Sequence, residues 1–140
     1  MKQALTLFLL FCGGLVAVDL TFGFGAAYAI SYGAISLMGL MISGTFLWLW
    51  YKRATPLALG MSFSWAGAST VMGWWWMYNV FERPAAMEDN AVLLGFVSLY
   101  CVGAILHFGE IQSSLSLPRA AYMVPVVGSL LVSLLIHLAT

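Results

Sequence analysis

The sequence predicts an all-α protein: a polytopic integral membrane bundle of about five transmembrane helices, forming a single domain over residues 1–140. Three observations carry this expectation. Hydrophobic residues make up 63% of the chain and charged residues 7%, against about 45–50% and about 25% in soluble domains. A water-soluble fold of this length has no means of hiding that much apolar surface, since even well-packed domains leave much of their area in water. Finally, every charged residue except Asp19 lies at the end of an apolar run, and the runs approach the roughly 20 residues that a spanning helix needs. Backbone polar groups in hydrocarbon require partners within the segment, and so few segments cannot close a barrel, so the runs are helices.

The first span is expected from about Ala4 to Phe22. Its start resembles a secretory signal: Met1-Lys2-Gln3 is a short basic beginning, Ala4 to Val18 an apolar core, and Ala27-Tyr28-Ala29 a small-x-small site. That site runs directly into more apolar sequence, so a retained span is expected. Phe22-Gly23-Phe24-Gly25 carries no charge and predicts a tight turn near the interface.

The second span, about Ala27 to Trp50, has small residues on one face at Gly25, Ala29, Gly33, Ser36, Gly39 and Ser43. The third, Pro56 to Tyr78, opens with Thr55 as a capping residue and proline at the first helical position. It carries Gly60, Ser64, Gly67, Thr70 and Gly73. Lipid offers helices no hydrophobic reason to associate, so small residues that let backbones approach predict close packing. The fourth span, Ala91 to about Phe108, is capped by Asn90 and adds Gly95, Ser98 and Gly103. The fifth, about Ala120 to Leu138, is expected to start near Ser116 and Pro118. Within it, Pro125 predicts a kink near the inner third, a static bend in preference to a hinge.

The Lys/Arg bias orients the bundle. With the N-terminus in the cytoplasm, Lys2, Lys52, Arg53 and Arg119 lie inside and only Arg83 outside, and the C-terminus is external. Trp48, Trp50 and Tyr51 then close the second span at the inner surface, and Trp74, Trp75, Trp76 and Tyr78 the third at the outer. Aromatic rings with a polar edge suit these headgroup zones. The expected location is the cytoplasmic membrane of a bacterium.

Chemistry-bearing residues are few. Net charge is zero with no basic patch, which argues against nucleic acid as a partner. Cys12 and Cys101 fall within apolar runs and are expected to be small buried hydrophobes. No Gly-x-Ser-x-Gly elbow or phosphate-binding glycine loop is present. Asp19 is the acid placed well inside a span, about one turn from its outer end, and an intramembrane carboxylate is a functional candidate by default. His107 and Glu110 stand three residues apart, on one helix face. The order is the reverse of the Glu-x-x-His of di-iron bundles, which also need carboxylates on other helices, so no metal is expected. A charge partner for Glu110 in Arg53 or Arg119 is the simpler expectation.

His107, or the Trp74 to Trp76 group, offers a site for haem or a chlorophyll-type pigment, while His137 sits near the opposite face at the chain end. Five spans and abundant tryptophan resemble, in composition alone, the tryptophan-rich sensory proteins that bind porphyrins. The chain has no Trp-x-Pro-Pro stretch, so no residue role carries over.

The leading expectation is an accessory subunit or assembly factor of a larger membrane complex, without its own catalytic centre. Its partners would be lipid and other membrane-protein subunits or further copies of itself. The first alternative is a small-solute, ion or proton channel or transporter module formed by homo-oligomerisation. The second is a pigment- or haem-associated protein.

Overall fold

The computed structural model describes residues 2–118 and 120–139, and these form five α-helices: α1 (Lys2–Phe22), α2 (Phe24–Arg53), α3 (Pro56–Val80), α4 (Ala91–Ser114) and α5 (Met123–Ala139). A 3₁₀ turn over Ala85–Met87 lies between α3 and α4. The architecture is an all-helical bundle. Three of its helices, α1, α2 and α4, are long and apolar enough to cross a membrane, which suggests membrane insertion.

Helix α3 has 25 residues and no charge, a length of about 37 Å at 1.5 Å per residue. It falls outside that group because serine, glycine and tryptophan dilute its apolar content. Its position explains the composition: α3 is the central helix, with α2 against one side and α4 against the other. A helix covered by protein on two sides needs small residues for close approach more than it needs apolar bulk for lipid.

Both interfaces are antiparallel. Along α2 and α3 the opposed pairs are Gly33 with Trp76, Ser36 with Gly73, Gly39 with Ser69, and Ser43 with Ser62. The last pair is joined reciprocally. The Ser43 hydroxyl donates to the Ser62 carbonyl at 2.8 Å, and the Ser62 hydroxyl to the Ser43 carbonyl at 3.0 Å. Along α3 and α4 the opposed pairs are Gly60 with His107, Ser64 with Gly103, and Gly67 with Tyr100. The small residues of α3 thus divide between two neighbours. Gly60, Ser64 and Gly67 meet α4, whereas Gly73 meets α2. The Thr70 hydroxyl bonds its own helix, at the carbonyls of Ala66 and Gly67. Ser62 and Ser69, buried against α2, complete the second face.

The peripheral helices are attached more loosely. Neither α1 nor α5 buries a residue. Leu10 is 66% and Leu20 81% exposed, apolar surface that only hydrocarbon or another protein would cover.

Several boundaries differ from expectation. The predicted four-residue turn after α1 shrinks to Gly23, with φ +84°, a conformation glycine adopts without steric penalty. Its N–H donates to the Asp19 carbonyl at 2.8 Å, and its own carbonyl accepts from Ala26 and Ala27. Gly23 thereby ends one helix and begins the next. Thr55 occupies the N-cap position of α3 with Pro56 behind it, but its hydroxyl makes no capping bond. Asn90 does cap α4, its side-chain oxygen accepting from the Val92 N–H at 2.9 Å.

Helix α4 continues past Phe108 to Ser114, and α5 begins at Met123, three residues after the expected Ala120. The intervening chain turns through short bonds such as Ala121 N–H to the Pro118 carbonyl, 2.8 Å. Pro125 consequently lies in the first turn of α5, where its missing N–H removes no intrahelical bond. The expected kink within a span has no basis there. Arg119, counted among the inner basic residues, lies outside the described residues.

Candidate functional site

Asp19 is on the last turn of α1, and the one-residue turn at Gly23 folds α2 back beside it. The two helices flank an open groove of about 340 Å³, in which Asp19, Leu15, Val16 and Phe24 are exposed. Asp19 lines it together with Leu15 and Val16 of α1 and Phe24, Tyr28 and Tyr32 of α2. Tyr28 and Tyr32 are four residues apart, on one helix face. Their rings stack with centroids 4.1 Å apart and planes at 28°. The Asp19 carboxylate has no ion pair or hydrogen bond among the described residues.

His107 lies on α4 toward the opposite end of the bundle, where its backbone meets Gly60 of α3. It borders a cleft of about 330 Å³ shared with Ser64, Trp65, Tyr100 and Phe108. Its Nδ1 is buried without a hydrogen-bond partner, and its ring leans on Phe108 at 5.8 Å. Glu110 is on the next turn but does not line this cleft. It makes no ion pair with Arg53 among the described residues. The three candidate polar residues are therefore not one site: Asp19 stands at one end of the bundle and His107 with Glu110 at the other. His137 is in the last turn of α5. No cluster of metal-ligating residues exists among the described residues. Cys12 and Cys101, on α1 and α4, are free thiols and exposed, not buried as expected.

The three consecutive tryptophans point in three directions, as steps of about 100° per residue require. Trp74 meets Phe96 of α4 edge to face, centroids 6.1 Å apart, with its indole Nε1 buried and unpartnered. Trp75 is exposed and packs edge-on against Tyr78. Trp76 covers Gly33 of α2. Trp74 and Trp76 thus pack between helices, and Trp75 lies on the outer surface. Trp48 and Trp50 are exposed near the basic end of α2.

The loop after α3 also closes a cleft, of about 570 Å³, over Trp75 and Leu94. The Tyr78 hydroxyl donates to Glu88 there at 2.7 Å. Sequence reasoning passed over Tyr28 and Tyr32. The available signal was their spacing of four, combined with a turn short enough to bring α2 back past Asp19. No protein-family model, curated protein or solved structure matches this chain.

Proposed function

We propose that this chain is an integral membrane accessory subunit or assembly factor of a larger membrane complex, without a catalytic centre of its own. The carrying observation is the division of its glycines. Those at 33, 39, 60, 67 and 103 are each pressed against a neighbouring helix. Gly13 and Gly14 of α1, Gly25 and Gly44 of α2, Gly95 and Gly109 of α4 and Gly128 of α5 have nothing within 4 Å of where a Cβ would stand, so Gly25, expected in the packing stripe, meets no neighbouring helix. Glycine inside a helix costs roughly 0.5–1 kcal/mol relative to alanine. Close approach by another helix is the usual compensation in a membrane. The outward glycines, together with loosely attached α1 and α5, favour a bundle completed by other subunits.

In this reading the N-terminus is cytoplasmic, all five helices cross the cytoplasmic membrane of a bacterium, and the C-terminus is outside. Partners are lipid and neighbouring subunits. Gentle extraction from native membranes followed by mass spectrometry of the intact complex is expected to recover unrelated chains in fixed stoichiometry. Recovery of the chain solely with copies of itself would reject the accessory role. It would favour instead the second reading, a homo-oligomeric transport module, to which the unpaired Asp19 carboxylate lends support. An absorption spectrum of the same sample tests for haem or a chlorophyll-type pigment on His107; a visible band lost in His107→Ala is the required signature.

A further inference from the structure

We propose that the cleft between α1 and α2 binds a lipophilic organic cation, with Asp19 as its counter-charge and the stacked Tyr28–Tyr32 pair as its aromatic wall. The proposal stands apart from the accessory-subunit reading, since it concerns one chain and one cleft.

The volume, about 340 Å³, falls at the lower end of the roughly 300–1,000 Å³ typical of small-molecule sites. The lining supplies the selectivity. Leu15, Val16 and Phe24 present apolar surface, which excludes strongly hydrated ligands. Asp19 adds an exposed carboxylate, which is costly unless paired where the groove faces hydrocarbon. No described basic residue pairs with it. Lys2 is at the far end of α1, about 26 Å along the helix axis, and Lys52 and Arg53 are at the far end of α2, while Arg83, in the α3–α4 connection at the same end of the bundle, makes no ion pair with Asp19. An anion is repelled, and a neutral ligand leaves the charge uncompensated. A small metal ion demands several oxygen ligands, and no such set is present among the described residues.

A bulky organic cation meets every condition. Its charge is weakly hydrated, its substituents match the apolar wall, and the faces of Tyr28 and Tyr32 attract cations through the ring quadrupole. The cleft is flanked by α1, which buries no residue, so a lipid-soluble ligand reaches it from the bilayer.

The test uses the full chain in nanodiscs of zwitterionic lipid, with tetraphenylphosphonium as probe and tetraphenylborate, of like size and opposite charge, as control. Equilibrium dialysis corrected for empty nanodiscs should show saturable tetraphenylphosphonium binding and no saturable tetraphenylborate binding. Asp19→Asn should weaken the cation by about tenfold or more, the equivalent of about 1.4 kcal/mol. Asp19→Glu should stay near the wild type, which separates loss of charge from loss of fold. Tyr28→Leu and Tyr32→Leu should each weaken binding several-fold. The proposal is overturned by undiminished binding in Asp19→Asn, by equal saturable binding of the borate, or by no saturable binding of the cation at all.

Discussion

At Gly67 and Gly103 the opposing atoms are backbone: a Cβ on Gly67 would collide with the main chain of Tyr100, and one on Gly103 with that of Ser64. A side chain can rotate away, but a helix backbone yields only if the two helices move apart. Gly67→Ala and Gly103→Ala should therefore each destabilise the bundle by about 1–3 kcal/mol, the usual cost of overpacking, read as a lower melting temperature in detergent. Gly95→Ala, with open space at the same test, should leave the isolated chain unchanged or slightly stabilised. Melting of Gly67→Ala at the wild-type temperature would contradict the α3–α4 approach. Ala54 gives the opposite case. It ends α2 at φ +48°, its N–H donating to the Trp50 carbonyl. The left-handed region costs a non-glycine residue roughly 1–2 kcal/mol, so Ala54→Gly should raise stability by about 1 kcal/mol and shift the same melting curve upward.

Between α2 and α3 the polar link is the reciprocal pair of Ser43 and Ser62. Interhelical hydrogen bonds in membrane proteins average about 0.6 kcal/mol and reach about 1.7. Each hydroxyl bonds the other residue's carbonyl, which alanine retains, so Ser43→Ala and Ser62→Ala should each lower stability by about 0.6 kcal/mol, nearly additively in the double variant. Melting of both single variants at the wild-type temperature would mean that the serines serve only as small residues. This interface also marks how far the sequence can be read. The α2 face from Gly33 to Ser43 was visible because its small residues recur every three or four positions and face a single neighbour. The α3 pattern misled for a physical reason: a central helix needs small residues on two sides, and periodicity alone does not divide them between neighbours. Ser62 and Ser69 were missed in consequence. Pro125 was misplaced because α5 begins only at Met123, three residues after the expected Ala120, which puts the proline in its first turn. Asp19 stood out by its charge, whereas the tyrosines facing its cleft depend on a fold-back at Gly23 that composition does not reveal.

For the whole molecule, the governing property is the distribution of charge about the helix ends. In the antiparallel α2–α3–α4 arrangement, Lys52 and Arg53 lie at one end, and Glu82, Arg83, Glu88 and Asp89 lie in the α3–α4 connection at the other. If the basic end faces the cytoplasm, α3 must cross the bilayer even though it is less apolar than its neighbours. Cysteine labelling tests both statements at once. With Cys12 and Cys101, the native free thiols, replaced by alanine, single cysteines at exposed Thr55, Ala86 and Ala139 report the two ends of α3 and the end of α5. A membrane-impermeant maleimide added to right-side-out vesicles should label Ala86→Cys and Ala139→Cys but spare Thr55→Cys until the membrane is permeabilised. Inverted vesicles should reverse the pattern. Labelling of Thr55→Cys and Ala86→Cys from the same side would show that α3 does not cross. Protection of Ala139→Cys alone would confine the failure to α5, whose 17 residues extend about 25 Å against a hydrocarbon core of about 30 Å. The central helix and the shortest helix thus meet separate outcomes in one experiment, because each is marginal for a different reason: α3 in apolar content, α5 in length.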